Sequence, residues 1–434
     1  MNDVQNQMEE STPPRSRGTE RYHALDALRA FALLLGVVFH AAESFEAGHT
    51  DWAIVDPSPS TILHLFRHAS HSFRLEIFFL IAGFFARLVY HRRGWREFMR
   101  NRCSRVLVPF AAGWCLLYPL VVLIWIWGGT KSGNWETLGI PAEFRHLAPW
   151  QLVMGFFVTF QFVQKFNLTH LWFLHQLLVI YVLVLVARGA FVRWADAGGE
   201  WRTRIDGWFC RLMGARWTVL WLTLASVPLL LMMASWNVDT PFNSLIPQAP
   251  TTLLFGVFFM VGWLLHRQPA LLTPLGRRWK AHLCIGVLSV LPSRYGVMLA
   301  GQLGWLPQHT AWVRLAHSVL YGLMMWSLVL GFCGLFVRHA ANPSLRWRYV
   351  ADSSYWIYIA HLPLVVALQV WLADVKLHWT LKFPLILLIA LPVLFLSYHF
   401  LVRSTFIGQQ LNGRKHRLRL PGEVLANPGD HCRK

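Results

Sequence analysis

Residues 24–43, ALDALRAFALLLGVVFHAAE, combine a long apolar run with four ionisable side chains, Asp26, Arg29, His40 and Glu43. Arg29 and His40 are eleven positions apart. On an α-helix that is three turns plus about 20°, so both fall on one face, about 16 Å apart along the axis. Asp26, Gly36 and Glu43 lie close to the same stripe, with Gly36 allowing a close approach between its two polar ends. An ionisable side chain at mid-bilayer costs about 2.5 kcal/mol or more, so a membrane helix carrying several is usually placed for a purpose. Histidine is the usual general base near neutral pH, and His40 is the candidate for that role. Arg29 is suited either to an anion or to pairing with Asp26 at i, i+3. The plainer alternative makes Asp26 and Arg29 markers of the membrane boundary and His40 a packed core residue.

Further candidates lie outside this stretch. Glu76 sits in the apolar run FRLEIFF and needs a partner, for which Arg74, Arg87 and His40 are available. It is a candidate to orient His40, with Glu43, one turn beyond His40, as the rival for that role and a structural ion pair as the alternative. His64, His68 and His71 share one helical face, but no carboxylate joins them at metal-ligating spacing; a helix lying on the outer surface is the better reading, and no metal site is expected.

The class of protein follows from composition. The chain has 434 residues, 55% of them hydrophobic, 15% aromatic and only 14% charged, with 23 Trp. Mean hydropathy is +0.40. Soluble domains carry about 25% charged residues, so an all-α polytopic membrane protein is expected. The net charge of +19 is assigned to loops held against anionic lipid rather than to nucleic acid, for which no motif is present.

Hydropathy predicts about ten spans, near 25–44, 72–90, 106–127, 170–187, 217–235, 251–266, 281–300, 312–337, 355–373 and 383–402. An amphipathic stretch, 149–163, precedes the fourth. Basic residues crowd alternate connections: six Arg lie in 91–105 and six more in 188–216, whereas 235–250 has none. The positive-inside rule then puts both termini in the cytoplasm. Residues 1–20 read as a disordered cytoplasmic tail without an ordinary signal peptide, 21–403 as the transmembrane domain and 404–434 as a basic cytoplasmic tail. Cys103, Cys210 and Cys432 fall on the cytoplasmic side and Cys115, Cys284 and Cys333 in spans, so no disulfide is expected. The longest connection, 128–169, is too short for a separate catalytic domain, so any chemistry belongs to residues in or beside the membrane.

Five stretches, in order, resemble the acyltransferase-3 family of integral membrane acyltransferases. Residues 22–40 resemble its first helix, marked by Arg, ten residues and His, which Arg29 and His40 match. HSFRLEIFFLIAGFF (71–85) resembles its second helix, with Ala82 where the family has Ser. Arg102-x-x-Arg105, ahead of Pro109, resembles its basic motif. HLWFL (170–174) and SYWIYIAHLPL (354–364) resemble two later signatures. The HSFR, HLWFL and IY-x-x-H-x-PL elements are most similar to the glucans biosynthesis protein C branch, whose members succinylate periplasmic glucans.

The resemblance implies a bacterial-type inner-membrane enzyme that passes an acyl group, succinyl or acetyl, from cytoplasmic acyl-CoA to a hydroxyl of a periplasmic or cell-surface carbohydrate. Attack on a thioester needs a base, the role given to His40. Arg102 and Arg105 are the candidates for the CoA phosphates, since guanidinium groups suit them; Arg92, Arg93, Arg96 and Arg100 read as anchoring charges. His170, Trp172 and His361, within family signatures, are candidates to line the acceptor site. Two rivals remain: a transporter or flippase, and a non-catalytic membrane partner that keeps the fold.

Overall fold

The structure, a computed structural model, describes residues 22–47, 52–306 and 308–413. The expected N-terminal tail, most of the C-terminal one and Cys432 lie outside the described residues. Among those described, the chain is helical with no strand. In order come α1 (His23–Ala42), α2 (Thr61–His71), α3 (Arg74–Arg102), α4 (Val108–Ser132), α5 (Pro149–Val158), α6 (Trp172–Trp194) and α7 (Glu200–Gly214). Then follow α8 (Thr218–Leu231), α9 (Ala249–Arg267), α10 (Leu272–Leu288), α11 (Val290–Gln302), α12 (Thr310–His339), α13 (Leu345–Leu372) and α14 (Trp379–Ser397).

Among the described residues, eight helical stretches are long and apolar enough to cross a membrane, and the pair α7–α8, bent by 114°, makes a ninth. One of the eight, Thr61–Ser132, has 72 residues. At 1.5 Å per residue that is roughly 108 Å, more than three times the apolar thickness of a bilayer. It breaks at Gly94, whose φ of 75° leaves the helical region, and again at a π-helical turn, Cys103–Leu107. Separate crossings by α3 and α4, where the spans at 72–90 and 106–127 are expected, therefore bring nine to ten. The expected span at 281–300 straddles the junction of α10 and α11.

Small residues set the closest packing. Gly83 on α3 and Gly262 on α9 face each other's backbones: a Cβ at Gly83 would collide with the Phe259 carbonyl, and one at Gly262 with that of Leu80. Backbones approach this closely in membranes only where side chains are absent. Elsewhere α10 packs along α12, and α1 along α13. Trp326 of α12 is fully buried; it stacks on Phe258 at 4.0 Å and donates to Ser226 Oγ at 2.9 Å. Leu116, Val186, Leu288 and Leu388 stay exposed, as expected of side chains that face lipid.

The helix α2 differs from the surface helix expected of it. It packs against α1 and α11 and buries Leu63, His68 and Ser70. Its histidines have separate partners: His64 Nδ1 lies 2.7 Å from Glu46, His68 Nε2 2.9 Å from Ser293 Oγ, and His71 Nδ1 3.4 Å from Tyr321 OH. A buried ion pair, Lys382 Nζ to Asp56 Oδ2 at 2.6 Å, ties the segment after α1 to α14.

Candidate active site

The stripe read from the sequence of α1 is real in part. Ala32, Gly36, Phe39, His40 and Glu43 face one cavity of about 770 Å³, within the range of small-molecule sites. Its other walls come from α2, α3, α4, α5, α6 and α13. A separate cavity of about 660 Å³ between α11 and α12 is mostly apolar, and none of the motif residues lines it.

Three histidines from three motifs meet in the larger cavity. The ring of His361 lies 5.2 Å from that of His40 and 5.1 Å from that of His170. Their orientations have local causes. Pro363 has no backbone N–H, so the carbonyl four residues earlier, that of Ile359, loses its helical donor. His170 Nε2 fills the vacancy, donating to Ile359 O at 2.9 Å. Tyr358 OH returns a bond to His170 O at 2.7 Å. The residue before His170, Thr169, has φ of 53°, a left-handed conformation that β-branched residues rarely adopt and that marks functional sites. His361 Nδ1 lies 2.6 Å from Tyr358 O. A carbonyl only accepts, so this nitrogen carries the proton and Nε2 keeps its lone pair. That Nε2 is buried without a hydrogen-bond partner among the described residues, as is Nδ1 of His40.

His40 is held from its backbone and one ring face. Gln369, buried in α13, donates to His40 O at 2.8 Å and Ala41 O at 3.1 Å, carbonyls in the last turn of α1, of which His40 O also accepts the Glu43 backbone N–H. Its own Oε1 accepts from Trp52 Nε1 at 2.9 Å. Trp52 then stacks on the His40 ring, 5.8 Å away and 8° from parallel. Among the described residues, no hydrogen bond joins Glu43 or Glu76 to the His40 ring. Glu43 Oε2 instead lies 3.0 Å from Arg67 Nε, and Arg67 also pairs with Glu46.

Of the residues singled out from sequence, His40, His170, Trp172 and His361 line the cavity together. Arg29, Glu76, Arg102 and Arg105 do not. Arg29 sits about one turn before Ala32, with Asp26 at 3.4 Å. Glu76 is fully buried, and neither of its carboxylate oxygens has a hydrogen-bond partner among the described residues. Arg102 packs between Phe98 and Tyr181, at 5.0 and 5.2 Å from their rings. Arg105 lies in electrostatic reach of Arg102, Arg93 and Arg29, and its backbone carbonyl accepts from Tyr355 OH at 2.8 Å. Arg29, Arg102 and Arg105 form a second, basic cluster towards the far end of α1. Trp52, Arg67 and Gln369 were missed. A glutamine within an apolar span was the one available signal, since Trp52 sits in a connection and Arg67 reads as one more surface charge.

Comparison with known proteins identifies the family. A family model of the acyltransferase-3 type, an acyltransferase domain, matches residues 22–399. Proteins named glucans biosynthesis protein C from Salmonella schwarzengrund, Salmonella typhi and Salmonella typhimurium are each 26% identical over 353 residues, covering 80% of this chain and 83% of theirs. No solved structure matches. The family match runs unbroken from before Arg29 to beyond His361, through every motif that builds the cavity and the basic cluster, and the chain belongs to the acyltransferase-3 family of membrane acyltransferases.

Proposed function

We propose that this protein is an inner-membrane O-acyltransferase. The acyl donor is acyl-CoA, with its phosphates at the Arg102/Arg105 cluster. The acceptor is a carbohydrate hydroxyl entering the histidine-lined cavity from the other side. The observation that carries this reading is the meeting of His40, His170 and His361, from three separate motifs, in one cavity with the basic cluster towards the opposite end of α1. The name of the relatives favours a glucan as acceptor.

In the reaction the hydroxyl oxygen attacks the thioester carbonyl carbon. A C–O bond forms, the C–S bond breaks, and the proton passes from the hydroxyl to His40 and on to the departing thiolate. The unpartnered nitrogen of His40 is free to take it. Trp52 and Gln369 hold the ring and its backbone while this occurs. His361, with Nε2 as an acceptor, is placed to receive a hydrogen bond from the acceptor sugar. His170, committed to Ile359 O, orders the cavity wall. Positive-inside charge places the basic cluster on the cytoplasmic side, where CoA is available.

The test is transfer of radiolabelled acyl groups by purified protein and by His40→Ala. Loss of a general base costs about 10²- to 10⁴-fold, with thermal unfolding unchanged. Full activity in a folded His40→Ala protein would sink the assignment. CoA at a hundred times its dissociation constant should add about 2.7 kcal/mol of stability; a transporter for carbohydrate alone would show none.

A further inference from the structure

Arg74, the first residue of α3, is only 7% exposed and lines the cavity. Among the described residues its guanidinium makes neither a hydrogen bond nor an ion pair, and Nη1 is fully buried without a partner. A guanidinium has five N–H donors, and removing such a charge from water without a partner costs several kcal/mol. The neighbouring Arg67, in the same cavity, shows what compensation looks like: Glu43 and Glu46 both pair with it. Arg74 has the Phe39 ring, 4.0 Å from its guanidinium carbon, and has Glu43 and Glu76 within electrostatic reach but, among the described residues, not in contact.

We propose that Arg74 is the recognition group for an anion carried by a substrate, a carboxylate on the acyl group being transferred or on the acceptor. The reaction it serves rests on the acyltransferase reading above; the binding does not. Position supports the assignment. A Cβ on Gly36 would lie 3.8 Å from Arg74 Nη1, so the guanidinium runs alongside α1 at Gly36. That is one turn before His40, about 6 Å along the axis. A carboxylate held there, by the paired N–H bonds that guanidinium groups form with it, puts atoms a few bonds away beside His40. An acyl group ending in a carboxylate has that reach, and so does an acidic sugar whose free hydroxyl neighbours its carboxylate. Glycine at position 36 leaves the room for both.

The experiment compares wild type, Arg74→Gln and Arg74→Lys with matched charged and neutral substrates. One arm uses succinyl-CoA against acetyl-CoA with a neutral oligosaccharide acceptor. The other uses an acidic against a neutral oligosaccharide with acetyl-CoA. The quantity read is the ratio of kcat/KM for the charged over the neutral partner. In Arg74→Gln this ratio falls about 30-fold in one arm, the size expected for hydrogen bonds to a charged group, and Arg74→Lys restores part of it. The arm that responds identifies whether donor or acceptor carries the anion. Unchanged ratios in both arms overturn the proposal. If the wild type transfers no acyl group at all, the acyltransferase reading fails separately, and binding decides. Succinate, but not neutral succinamide, must then raise the unfolding temperature of the wild type and not that of Arg74→Gln; equal shifts overturn the proposal. Should Arg74→Gln fail to fold, Gly36→Leu, which crowds Nη1 while leaving Arg74 in place, must lower the same ratio.

Discussion

At the scale of single residues, His40 depends on one glutamine. Gln369 ties together three groups: the carbonyls of His40 and Ala41 and the indole N–H of Trp52. Gln369→Leu keeps the volume roughly and removes all three bonds. Leaving a buried polar group unsatisfied costs about 1–3 kcal/mol, so thermal unfolding should shift down by a corresponding amount. Because Trp52 also stacks on the His40 ring, kcat should fall while the KM for acyl-CoA, whose proposed site is the distant basic cluster, stays as it is. A Gln369→Leu protein that is less stable but has normal kcat would show that the stack does nothing for the base. His40 itself was legible from spacing and resemblance, whereas its supports were not. They come from positions more than three hundred residues away or from a connection without periodicity.

At the scale of elements, α13 shows how a proline can act at a distance from its own side chain. By removing one N–H, Pro363 frees the Ile359 carbonyl for His170. Pro363→Ala returns the donor and lets the helix compete for that carbonyl. The expected outcome is an unfolding temperature no lower than wild type together with a kcat several-fold down; unchanged kcat would mean that the His170 ring needs no anchoring. The pairing of α3 with α9 makes a prediction of the opposite kind. Gly83→Ala or Gly262→Ala drives a methyl group into backbone. Such overpacking costs about 1–3 kcal/mol, and chemical denaturation of the detergent-solubilised protein should show it for either variant. The motif around Gly83 was visible in the sequence. Its packing against Gly262, from a helix with no motif of its own, was not.

At the scale of the molecule, the proposed function divides the work between two groups of residues. The histidine cavity and the Arg102/Arg105 cluster are separated along α1 by most of the stretch between Arg29 and His40, about 16 Å. On the proposed reading donor and acceptor bind independently, and their defects should separate. Arg102→Ala is expected to raise the KM for acyl-CoA about tenfold or more, the loss of a charge-assisted bond, with the KM for the acceptor unchanged. Steady-state kinetics with each substrate varied in turn checks this. A rise in both constants would place the two sites in contact. The clamp of Lys382 on Asp56 belongs to this scale too. It fixes the segment that carries Trp52, part of the cavity wall, against α14 near the other end of the chain.

Hydropathy and helical geometry are local properties, and what depends on them was determined by the sequence alone: the all-helical membrane class, nearly all of the spans, and the stripe that carries Gly36, His40 and Glu43. The order of the motifs likewise pointed to the family. Which polar groups meet is a different matter. In an apolar medium each buried polar side chain takes whatever partner the helix packing brings within about 3 Å, and sequence lists many candidates for each. Glu43 and Glu76 were both plausible partners for the His40 ring. Packing gave Glu43 to Arg67, left Glu76 out of the cavity, and set Trp52 on the ring instead. It also brought His361 and His170 to His40 and left Arg74 facing the same space with no carboxylate in ion-pair contact among the described residues. Those choices belong to the crossing of α1, α3 and α13, and only the tertiary structure decided them.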